Sequence, residues 1–152
     1  MGFIRVLSAR YHFDATLQRF QDLAFKNTGG AISVFMEDCA IERSGTICAH
    51  IRAFYLGQTQ EPPTFIRVAQ DLLPEGALIE PEVSKSDDEC HVGIHGLKDR
   101  QAEKFFKRTF KYPSDVRICE NGTDRALTSE DRFTFPLPPL PNNAGAALAQ
   151  HP

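Results

Sequence analysis

The chain has 152 residues, of which 41% are hydrophobic and 24% charged, and it carries a net charge of −3. That length supports one domain with a real core, and the composition excludes disordered, collagenous and coiled-coil chains. No apolar run approaches the ~20 residues that a bilayer-spanning helix needs, so no membrane partner is expected.

The first segment, residues 3–9, alternates weakly and reads as a strand. Its apolar run is broken by Arg5 and ends at Arg10, unlike a secretory leader, so the expected location is cytoplasmic. Asp14 suits the N-cap of a helix over residues 15–26, with Leu17, Phe20, Leu23 and Ala24 on its inner side. Residues 31–41 and 46–56 read as two strands. Ser44-Gly45 between them has the signal of a tight hairpin. Pro62-Pro63 then suits the start of a helix over residues 64–73, where Phe65, Ile66, Ala69, Leu72 and Leu73 recur at helical spacing.

Residues 77–83 predict a short strand, and 84–89 an acidic loop. Residues 89–95 predict a strand that turns directly into a helix over 99–111. Another strand is expected over 116–120, a turn at Asn121-Gly122, and a last edge strand over 132–135. Residues 136–152 form a proline-rich tail that favours an extended conformation.

The expected fold is a single α+β domain over residues 1–135, mainly antiparallel sheet with about three helices. The element order is β-α-β-β-α-β-β-α-β, and its first six elements follow the ferredoxin-like order. The expected core includes Phe20, Ile32, Val34, Ile47, Phe54, Phe65, Val92, Ile94, Phe105 and Phe106.

The four cysteines, Cys39, Cys48, Cys90 and Cys119, are widely spaced and form no C-x-x-C pair. In a cytosolic setting they read as buried free thiols. A zinc set joining Cys48, His50, Cys90 and His91 meets an obstacle, because Cys90 and His91 are strand neighbours that face opposite ways. A nucleophile built from Cys39 and His50 across the hairpin has no supporting motif. No metal and no cofactor are expected. The sequence lacks a phosphate-binding loop, a dinucleotide fingerprint and a nucleophile elbow.

Two groups of residues remain. His91 and His95 share one strand face with only glycine between them, and His50 is a third imidazole. Together they define a hydrolase or phosphodiesterase reading, against the plainer reading of surface histidines on a strand. On the following helix, Arg100, Lys104, Lys107, Arg108 and Lys111 fall on one stripe opposite Ala102, Phe105, Phe106 and Phe110. Residues 98–117 hold seven Lys/Arg against three Asp/Glu in a chain that is acidic elsewhere. The leading expectation is a non-enzymatic binding protein of inhibitor, immunity or chaperone type, which docks a protein partner through the hairpin edge and this basic helix. Nucleic acid is the alternative ligand for the same stripe. A third outcome is self-neutralisation, with the stripe paired to Glu80, Glu82 and Asp87 to Glu89.

Overall fold

The computed structural model describes residues 2–7, 13–14, 19–20, 31–55, 59, 61–82, 87–111 and 113–133. Among these residues lie nine strands and three α-helices, the α+β composition expected from sequence. The strands are β1 (Gly2–Val6), β2 (Phe13–Asp14), β3 (Arg19–Phe20), β4 (Ile32–Met36), β5 (Thr64–Ala69), β6 (Leu78–Pro81), β7 (His91–His95), β8 (Arg117–Glu120) and β9 (Thr123–Ala126). The helices are α1 (Glu37–Ser44), α2 (Ile47–Phe54) and α3 (Asp99–Thr109). Seven strands form one antiparallel sheet in the order β6-β7-β4-β1-β5-β8-β9, while β2 and β3 pair separately.

Helices cover both faces of the large sheet. On one face Phe3, Ile32, Val34, Ile66, Val68, Val92, Ile94 and Ile118 pack with Ala102 and Phe106 of α3. On the other, Ile4, Phe35 and Phe65 pack with Ala40 of α1 and with Ile47 and Ile51 of α2. Of the expected core, Ile32, Val34, Ile47, Phe65, Val92, Ile94 and Phe106 are buried. Phe54 and Phe105 are half-buried, and the side chain of Phe20 lies outside what is described.

Two segments change type. The expected hairpin over 31–56 is one strand followed by a helix pair. Alternation holds only through Met36, and then Glu37 and Asp38 supply the acidic first turn that a helix dipole favours. Gly45 takes φ 88° and donates its N–H to the Ile41 carbonyl, so it ends α1 instead of turning a hairpin. The Thr46 side chain accepts the Ala49 N–H at 3.0 Å and caps α2. Ile47, Cys48, His50 and Ile51 are then buried, at helical spacing.

The expected helix over 64–73 is strand β5 followed by a 3-10 turn at Gln70–Leu72. Thr64, Phe65, Ile66 and Val68 are all buried. A strand covered on both faces loses the alternation that marks a half-buried one, so its apolar run mimics a helix pattern.

Smaller differences remain. Where the sequence predicts a helix over 15–26, Arg19–Phe20 instead pairs with Phe13–Asp14, and the other residues of that segment lie outside the description. The Asn121-Gly122 turn is present, with φ 54° and 81°, and it leads at once into β9. The expected edge strand over 132–135 is absent at residues 132 and 133, and its remainder, like the 136–152 tail, lies outside the described residues. No described helix is long and apolar enough to cross a membrane.

The cysteines are not free thiols. Cys39–Cys90 ties α1 to the residue preceding β7, and Cys48–Cys119 ties α2 to β8. All four cysteines lie on the α1–α2 face of the sheet, as members of its core cluster or packed against it.

Candidate functional site

Helix α3 owes its orientation to its own pattern. Ala102 and Phe106 are buried, and Phe110 stacks on Phe106 at 5.6 Å between ring centroids. That inner stripe leaves Arg100, Lys104, Lys107, Arg108 and Lys111 exposed on the far side. The five bases line a shallow groove together with Asp99 and Glu103. One base is partly spent, since Lys107 donates to Glu103 Oε1 at 2.9 Å, an i,i+4 pair. Among the described residues no carboxylate pairs with the side chains of Arg100, Lys104, Arg108 or Lys111, although Asp115 Oδ2 accepts from the Lys111 backbone N–H at 2.7 Å. Phe110 belongs to the core edge and is not presented beside the bases.

The acidic stretch does not neutralise this helix. Glu80 and Glu82 sit beside His95, Asp88 is buried against His50 and Tyr55, and Glu89 pairs with Arg43 of α1. The self-pairing outcome therefore fails at these four residues. Each of these carboxylates is committed at the β6–β7 edge, under α2 or against α1, away from the basic face of α3.

The three histidines occupy three different surroundings. His50 is on α2, not on a strand, and is completely buried between Phe35 and Phe54, each with its ring centroid 4.7 Å away. Its Nδ1 meets Ser44 Oγ at 2.8 Å, and its Nε2 meets Asp88 Oδ2 at 2.8 Å. His91 is buried with Nδ1 3.2 Å from the Glu82 carbonyl oxygen. His95 is half-buried, with Nε2 3.1 Å from Glu82 Oε1 and 3.6 Å from Glu80 Oε2. Three residues of strand lie between His91 and His95, about 13 Å of backbone at ~3.3 Å per residue, and each imidazole is engaged with Glu82, His91 with its carbonyl oxygen and His95 with its carboxylate. A Cβ on Gly93 between them would displace the ends of the Glu82 and His95 side chains and press on Ala31 Cβ at 3.0 Å, so glycine there leaves room for the Glu82–His95 contact.

The chain matches no family model, no curated protein and no solved structure. The residues themselves must therefore carry the functional argument.

Sequence reasoning missed the Ser44, His50 and Asp88 constellation, whose members are the types of a hydrolytic triad. Its geometry is that of a brace. Asp88 accepts from His50 Nε2, from the Tyr55 hydroxyl at 3.0 Å and from the Cys90 N–H at 2.9 Å. Burial, and then the Asp88 carboxylate, push the Tyr55 phenol well above its ordinary range, so Tyr55 stays a donor. The imidazole is fully enclosed, and the Gly45 N–H beside Ser44 is already bonded to Ile41. A nucleophile would need an exposed imidazole edge and free N–H donors for an oxyanion. His50, Asp88 and Cys90 also lie close enough together to suggest a metal set. The Cys90 sulfur is spent in a disulfide, as is Cys48 of the expected zinc set, and Cys39 is likewise lost as a nucleophile.

Proposed function

We propose that this protein is a non-enzymatic binding module that docks an acidic protein surface on the outer face of α3. The observation that carries this reading is the exposed row of Arg100, Lys104, Arg108 and Lys111, beside the Glu103-paired Lys107, while Glu80, Glu82, Asp88 and Glu89 are engaged elsewhere. A bounded acidic patch suits the row better than nucleic acid does. The net charge of −3 means that a long polyanion reaching beyond α3 would meet an acidic surface. The helix pair replaces the expected hairpin edge, so the interface reading rests on α3 alone. We also infer an oxidising compartment in place of the cytosol, because two disulfides are the pattern of proteins kept from cellular thiols.

The test uses a short oligo-L-glutamate peptide, no longer than α3, and a single-stranded DNA oligomer as probes, with affinity read by fluorescence anisotropy. The combined substitutions Lys104→Glu, Lys107→Glu and Lys111→Glu should leave the fold intact, since all three side chains are exposed. Oligo-L-glutamate binding should weaken at least about tenfold, from three reversals at roughly 0.5–1 kcal/mol each. Wild-type binding should fall as salt rises. Unchanged affinity at low salt would make the stripe an ordinary solvated face. Preferential capture of DNA with a steep salt slope would move the reading to the nucleic-acid alternative.

A further inference from the structure

The brace around His50 contains a second set of donors that the Cys39–Cys90 bridge keeps closed. The Cys90 sulfur, a carboxylate oxygen of Asp88 and a ring nitrogen of His50 lie within 4.8 Å of one another, and all three residues are completely buried. Cys39 brings a fourth donor to the same place, since its sulfur is bonded to that of Cys90. The four residues come from α1, α2 and the two positions that lead into β7. Cys39 is half-buried, unlike Cys90, so the bridge meets solvent at the Cys39 sulfur.

Two thiolates, an imidazole and a carboxylate are ligand types of zinc, which takes four of them in a tetrahedron at ~2.0–2.3 Å. Neighbouring ligands of such a tetrahedron stand about 3.3–3.8 Å apart. His50 Nε2 and Asp88 Oδ2, now 2.8 Å apart about one proton, need to open only slightly to share an ion. The outer partners are already in place. Ser44 Oγ lies 2.8 Å from His50 Nδ1 and can accept its proton, which leaves the Nε2 lone pair for a metal. The Tyr55 hydroxyl and the Cys90 N–H hold the Asp88 carboxylate.

We propose that opening the Cys39–Cys90 bridge turns this buried cluster into a zinc site formed by Cys39, His50, Asp88 and Cys90. A dithiol supplies the two electrons. Its thiolate attacks the Cys39 sulfur, the S–S bond breaks, and Cys90 leaves as a thiolate. The second thiol then displaces Cys39 and closes the reductant's own disulfide, so the protein gains two thiols. Zinc takes the place of the two thiol protons, which pass to solvent, and the His50 proton moves from Nε2 to Nδ1. Bridge and metal are then alternative clamps on the same three segments, one for oxidising surroundings and one for a chain kept among thiols. The site is independent of the α3 reading, and either can fail without the other.

The experiment opens both bridges of the full-length protein with a phosphine, which competes little for metal, and titrates it with cobalt(II) and zinc(II). One ion per chain should bind, with thiolate-to-cobalt charge-transfer absorption that zinc abolishes. Zinc should also restore most of the thermal midpoint lost on reduction. X-ray absorption of the zinc-loaded protein should show two sulfur and two nitrogen or oxygen neighbours, at ~2.3 and ~2.0 Å. His50→Ala should weaken binding at least tenfold. If that variant does not fold, the neighbours counted in the wild type decide. No binding by the reduced protein, or four sulfur neighbours, would overturn the proposal. So would undiminished binding by a folded His50→Ala variant, or by Cys39→Ala combined with Cys90→Ala.

Discussion

Reduction of both disulfides should lower the thermal midpoint by roughly 10–30 °C, or unfold the protein outright at 37 °C. The two bridges close separations of 51 and 71 residues, so each removes a long loop from the freedom of the unfolded chain. Loops of that length are worth about 2–5 kcal/mol each, and a chain of this size loses roughly 2–4 °C per kcal/mol. Total stability of a domain is typically only 5–15 kcal/mol, which makes the sum decisive. The paired substitutions Cys39→Ala with Cys90→Ala should show about half of the effect, and Cys48→Ala with Cys119→Ala the other half. Circular dichroism melts with and without reductant measure it. Four thiols that react in the native, unreduced protein would show that the bridges do not form.

Asp88→Ala should be the most damaging single substitution outside the bridges, at about 3–5 kcal/mol. It strands three buried donors at once, from His50, Tyr55 and the Cys90 amide. Asp88→Asn keeps an acceptor oxygen and should cost less. His50→Phe combined with Asp88→Leu should cost less than the two single changes summed, because each single change leaves a buried partner unmatched. Urea unfolding of wild type, His50→Phe, Asp88→Leu and the double variant measures the coupling. Additive losses would mean that the network does not act as one unit.

Much of the sheet was legible, and α3 fully so, because a single stripe of Phe and Ala opposite five bases has one reading. The hairpin misreading has a physical source. Ser44-Gly45 satisfies a helix stop as well as it satisfies a turn, and over so short a span Ile47, Ala49 and Ile51 fit a period of 2 while Ile47, Cys48 and Ile51 fit one of 3.6. The capping residue Thr46 was the signal that could have decided it. Strand β5 misled because burial on both faces removes alternation. The bridges were hidden by wide spacing together with the cytosolic inference from the N-terminus, although an even count of four cysteines fits two of them. The fate of the acidic stretch could not be read at all. Whether Asp88 meets a lysine on α3 or a histidine on α2 depends on which helix crosses which face of the sheet.

The most direct measurement for the binding account is an amide chemical-shift map of the ¹⁵N-labelled protein titrated with the short oligo-L-glutamate peptide at low salt. The account predicts shifts concentrated between Arg100 and Lys111 that disappear as salt is raised. Shifts centred on any other element, or a map of α3 that does not change, would contradict it.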